Sequence, residues 1–76
     1  PALVLDLRSL VYLDSAGVRM LFELERLLGD RRQRLHLVTQ RGDRVWRVLE
    51  ITDTLGRVPV HADAGAAVAA VTASQR

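Results

Sequence analysis

The sequence predicts a small α/β domain whose strands run parallel, and three features carry that reading. Short, nearly continuous apolar runs alternate with longer stretches in which apolar residues recur every three or four positions. The order is strand, helix, strand, helix, strand, helix, with no repeat, low-complexity segment or internal linker. Such successive units favour right-handed crossovers and a parallel sheet. At 76 residues, the chain has room for a single domain over 1–76.

The first strand is LVLDL, Leu3 to Leu7, apolar except for Asp6, as suits a strand covered on both faces. From Ser15 the period lengthens. Val18, Leu21, Phe22, Leu24 or Glu25, and Leu28 share one side, with Arg19, Glu23 and Arg26 on the other, until Gly29-Asp30 ends this amphipathic helix. Arg31, Arg32 and Arg34 then cluster in a turn. Leu35 to Thr39 is the second strand, and Asp43 is an N-cap for a helix carrying Val45, Val48 and Leu49.

Thr52 to Gly56 is turn-like, and Val58-Pro59-Val60 is a brief third strand. Its proline cannot donate to a ladder, which places it at a sheet edge. Asp63 caps an alanine-rich helix whose Ala64, Ala67, Val68 and Val71 share a face, and the tail TASQR frays. The chain opens at Pro1 directly on an apolar strand. Three strands leave one edge open, so further strands N-terminal to Pro1 are expected.

Composition removes several classes of function. There is no cysteine, hence no disulfide framework, thiolate metal site or thiol nucleophile. No apolar run approaches the roughly 20 residues that span a bilayer, so no membrane segment and a cytoplasmic location are expected. All eleven basic residues are Arg, but nine acids are interspersed and the net charge is +2. No aromatic residues are interleaved with the Arg31–Arg34 cluster, so direct nucleic-acid binding is not expected.

The chemistry concentrates in LDSAG, residues 13–17, where strand hands over to helix. Asp14 suits the N-cap, with its carboxylate accepting from the N–H groups of Ala16 and Gly17. Ser15 then falls in the first turn with no intrahelical duty. Gly17 costs about 1 kcal/mol against Ala inside a helix, so a neighbouring loop or a partner protein is expected to approach it closely.

Neither a G-x-S-x-G elbow nor a triad pattern around His36 or His61 supports Ser15 as a nucleophile, so no catalytic residue is expected. A phosphate-binding loop would need more glycines and a following Lys. A receiver-type phosphoacceptor at Asp6 would need an acidic pair and a lysine, which are absent; Asp6 reads as a strand-end residue supporting the next loop. Modification of Ser15 survives this comparison. A phosphate would add about −1.5 to −2 charges at a helix N-terminus that can accommodate them.

The stretches LVLDLRSLVYLDSAGVRMLFELERLL and LHLVTQRGDRVWRVLEITDTLGRVPVHADAGAAVAA resemble a STAS domain of the anti-sigma factor antagonist type, over nearly all of Leu3 to Ala70. The most specific part is D-L-x-x-L-x-x-L-D-S-A-G, matched by Asp6, Leu7, Leu10, Leu13, Asp14, Ser15, Ala16 and Gly17. The resemblance implies an α/β domain with a mixed sheet. It further implies that Ser15 matches the serine phosphorylated by an anti-sigma factor serine kinase, which uses its own ATP, and restored by a serine phosphatase. The unphosphorylated antagonist sequesters the kinase and frees the sigma factor. The domain is then a binding module without a cofactor and not an enzyme.

By the same resemblance the partner surface comprises Asp14, Ser15, Gly17 and the outer side of the first helix, with Arg19, Met20 and Glu23. For Met20 a core position is the competing expectation. Two positions depart from the family pattern. Asp53 stands where glycine commonly supplies a left-handed cap, which predicts a shifted or looser helix end. Trp46 stands where a basic or polar residue is common; it is either a partner contact or a cover for the turn near Leu55. The competing function is a STAS scaffold or regulatory subunit of a sensor complex, transporter or lipid-transport ATPase, without a serine switch.

Overall fold

The computed structural model describes residues 2–74. Three parallel strands, β1 (Ala2–Asp6), β2 (Arg34–Val38) and β3 (Val60–His61), lie in the order β1-β2-β3. Helices α1 (Ser15–Asp30), α2 (Arg44–Ile51) and α3 (Ala64–Ser74) separate and follow them, with a single 3₁₀ turn at Thr54–Gly56. The register sets Leu3 beside Leu35, Leu5 beside Leu37 and Leu37 beside Val60. This is the parallel βαβαβα arrangement that the apolar patterning predicts.

Strand residues alternate between the two faces of the sheet. Leu35 and Leu37 join Leu7, Leu21, Val45, Leu49 and Val58 in one buried cluster, against which Leu13, Leu24, Leu28 and Leu55 also pack. The first strand is shifted from its expected span: Leu7 lies beyond it, buried, and still donates its N–H to the Val38 carbonyl at 2.8 Å. Leu3 is exposed and Leu5 half-buried, so β1 is not covered on both faces as expected. Arg34, expected in the turn, is the first residue of β2.

Helix ends are closed by residues other than glycine. After α1, Arg32 adopts φ 58°, and the N–H groups of Arg32 and Gln33 return to the carbonyls of Gly29 and Leu28 at 3.0 and 2.8 Å. After α2, Asp53 takes φ 60° and ψ 20° in the left-handed region. The helix end is therefore neither shifted nor open: Asp53 assumes the glycine conformation itself, while the Thr52 hydroxyl donates to the Val48 carbonyl at 2.6 Å and meets the Thr54 hydroxyl at 2.9 Å.

The third strand is displaced to Val60–His61. Val58 belongs to the core, and Pro59, which has no N–H, contributes its carbonyl to Leu37 N–H at 2.9 Å. As expected, β3 is an edge strand. On the opposite side of the sheet, α3 is capped by the Asp63 carboxylate, which accepts from Ala66 N–H at 2.7 Å. Ala67 is fully buried, whereas Val68 is 56% exposed and does not share the buried side expected for it. Thr72, Ala73 and Ser74 continue the helix rather than fraying; Gln75 and Arg76 of the tail lie outside the described residues.

Candidate functional site

The chain crosses from β1 to α1 through a loop that is tied down at its start. The Asp6 carboxylate accepts from the Arg8 backbone N–H at 2.9 Å and from its guanidinium at 2.7 Å, and those bonds hold the Asp6 carboxyl below its ordinary pKa. Asp6 thus supports the loop, as its strand-end position suggests. Leu10 N–H then returns to the Leu7 carbonyl at 3.0 Å, and Val11 and Tyr12 project into solvent, 77% and 68% exposed.

Asp14 is the N-cap of α1. Its backbone is extended, its carbonyl accepts from Val18 N–H at 3.0 Å, and its carboxylate accepts from Gly17 N–H at 2.9 Å. The bond expected from Ala16 is not made, so one donor of the first turn is satisfied by this side chain rather than two. Ser15, the first helical residue, is exposed, and its hydroxyl has no hydrogen-bond partner among the described residues. A side chain at this position is thereby presented by a fixed backbone with no competing bond to break.

Gly17 owes its place to packing within the chain. A Cβ built there would stand 2.6 Å from Leu13 Cδ1, so the close approach comes from the residue just before the cap. Leu13 in turn packs against the core. The glycine lets the Leu13 side chain lie against the first turn, so the loop is one of the two expected neighbours that does approach it.

One turn on, Arg19 is exposed and has no acidic partner among the described residues. Met20 is 63% exposed, so the competing core position is excluded. Glu23 is exposed and engaged by Arg26, whose hydrogen bond depresses the Glu23 pKa. Together Arg19 and Glu23 border a shallow groove of about 620 Å³ floored by Leu5, Ala16, Met20, Leu24 and Leu27. Ala16 joins that groove to the Ser15 turn. On the other flank of α1, Arg57 stacks on Phe22 at 4.1 Å and bonds Glu25 at 2.9 Å, fixing the helix against the segment before β3.

The groove was not anticipated from the dominant stripe of α1, although a signal exists. Ala16, Met20, Leu24 and Leu27 recur at four, four and three residues, a second apolar stripe beside the core-facing one. Val11 and Tyr12 add exposed apolar surface in the loop just before Asp14. Trp46, by contrast, is half-buried on α2 beneath the Arg41 guanidinium, 5.3 Å from its ring. It lines a separate groove with Gly42, Asp43, Arg47 and Glu50, none of which borders the groove on α1. Asp43 caps α2 by position only, since its side chain makes no cap bond.

The comparison with protein families decides what this arrangement belongs to: a family model of the STAS domain matches residues 1–67. The chain belongs to the STAS family. No curated protein and no solved structure matches it significantly. Membership makes this STAS domain a regulatory or binding module in general terms. Among the described residues, no helix is long and apolar enough to cross a membrane, and no three His, Cys, Asp or Glu residues converge as a metal site would require.

Proposed function

We propose that this STAS domain is an anti-sigma factor antagonist whose availability is set by phosphorylation of Ser15. The observation that carries the reading is the unengaged Ser15 hydroxyl at the first turn of a capped helix, joined through Ala16 to an exposed apolar groove. In the unmodified state the exposed Asp14 and Ser15, with the half-buried Gly17 beside them, offer a low turn, and Arg19, Met20 and Glu23 offer a mixed apolar and charged strip. An anti-sigma factor serine kinase docks here and is sequestered, which frees its sigma factor.

Phosphate transfer from the kinase's ATP then places about −1.5 to −2 charges beside Asp14. The helix N-terminus tolerates that charge, so the domain stays folded. What changes is the surface: a bulky dianion stands where the partner approached, and the kinase is released. A serine phosphatase restores the hydroxyl. Such a cycle belongs in the cytoplasm and makes the domain a substrate rather than an enzyme. Trp46 lies on a different groove, so its contact with the same partner requires an interface reaching across to α2.

The test is to incubate the chain with a panel of anti-sigma factor serine kinases and ATP and to locate phosphate by tandem mass spectrometry. Stoichiometric phosphate on Ser15, and none after Ser15→Ala, is expected. Kinases that bind the chain tightly yet leave Ser15 unmodified would favour a scaffold without a switch.

A further inference from the structure

The sheet face under α3 holds two histidines for which the site on α1 has no use. His36, on the middle strand, is 4% exposed; His61, on the edge strand, is half-buried. The parallel register sets His61 beside Val38, two residues along from His36, so both rings stand on the side that α3 covers. His36 Nδ1 and His61 Nε2 are 3.0 Å apart, and the ring planes are stacked within 16°. One nitrogen must donate and the other accept, so the bond exists only while at least one ring is neutral.

Among the described residues, no acidic side chain bonds either ring to hold a second charge. His36 Nε2 is buried without a partner among the described residues. Val4 of β1 stands opposite His36. Arg34, on the same strand and face, adds positive charge. Two carboxylates stand at the His61 end of this face, Asp6 across Val38 from His61 and Asp63 two residues after it; Asp6 is paired with Arg8, Asp63 accepts from Ala66 N–H, and neither bonds a histidine. Between Ala64 and Ser74 α3 contains no ionisable side chain. Burial, with the nearby charges of His61 and Arg34, accordingly moves His36 below its ordinary pKa.

We propose that the His36–His61 pair is a proton-sensitive latch for α3: while the rings share one N–H···N bond the helix is seated on the sheet, and a charge on both rings unseats it. The helix is the part able to yield. None of the largest fully buried side chains comes from α3, whose deepest residue is Ala67, whereas α1 and α2 are anchored by Leu21, Val45 and Leu49. Opening of α3 alone exposes the histidine face of the sheet and leaves the leucine face intact.

Amide hydrogen exchange of the whole chain between pH 7.5 and 5, corrected for intrinsic rates, tests this. Protection of Ala67–Val71 should fall relative to Leu21–Leu24 by up to about tenfold per pH unit below the histidine midpoint, in step with the His36 ring resonances. In His36→Phe the relative fall should vanish. His61→Gln, at the half-buried edge, is the second variant: its amide oxygen can accept from a charged His36, so α3 should stay protected to within twofold. Parallel protection of α3 and α1 in the unmodified chain across this range overturns the latch. So does a full relative fall that persists in His61→Gln.

Discussion

The two faces of the sheet are built from different materials. One is sealed by leucines and valines from both covering helices: Leu21 and Leu49 are 1% and 0% exposed over Leu35 and Leu37. The other carries Val38 and the histidine pair under a helix of alanines, with Ala67 at its deepest point. Fully burying a leucine is worth about 1.5–3 kcal/mol, and an alanine side chain far less. Stability therefore resides on the α1–α2 face, which is also the face that holds Ser15 in position, while the α3 face is free to respond to conditions.

Substitutions that exchange the two characters give the largest effects. Leu37→Ala should cost about 2–5 kcal/mol in denaturant unfolding, a loss that threatens the fold of so small a domain. Ala67→Leu should cost about 1–3 kcal/mol by overpacking a position with no free surface. If Ala67→Leu is neutral, α3 does not sit closely on the sheet.

The pH dependence separates the faces next. A histidine whose folded pKa lies below its unfolded value near 6.5 binds fewer protons when folded, so stability is full above that value. It is lost as the pH falls from about 6.5 towards the lowered folded pKa, with a slope of at most about 1.4 kcal/mol per pH unit for one proton. Denaturant midpoints measured from pH 8 to 5 should show this loss in the unmodified chain and not in His36→Phe.

Smaller effects come from the helix ends. Asp14→Ala should cost about 1 kcal/mol, since it removes a bond to Gly17 N–H, whereas Asp43→Ala should cost less because no such bond exists there. Thermal unfolding of the two variants side by side measures the difference. Asp53→Gly should raise stability by roughly 0.5–1 kcal/mol by relieving a left-handed aspartate, the one change of opposite sign.

Much of this was legible in the sequence wherever a pattern was long or a cap was specific. The sixteen-residue α1 starts at LDSAG and closes at Asp30, as its periodicity indicates. The two-residue β3 was misplaced because Val58 is as apolar as a strand residue, yet it serves the core from the turn before the strand. The left-handed Arg32 carries no glycine to announce it, and Asp53, expected to shift or loosen its helix end, adopts the left-handed conformation itself. The exposed, unbonded position of Ser15 was legible because its neighbours define a cap. The α1 groove was missed because a second stripe, Met20, Leu24 and Leu27, stands beside a stronger one. The histidine pair needs the parallel register itself, which brings together residues 25 apart in the chain.

The proposed control of the α1 surface by charge at Ser15 is tested by the affinity of one anti-sigma factor kinase for three forms of the chain: unmodified, Ser15→Ala and Ser15→Asp. Calorimetric titration should give Ser15→Ala an affinity within about threefold of the unmodified chain, a difference of about 0.7 kcal/mol. Ser15→Asp should bind at least about a hundredfold more weakly, roughly 2.7 kcal/mol, while unfolding at the same denaturant concentration. Equal binding by all three folded forms would show that charge at Ser15 does not control the surface.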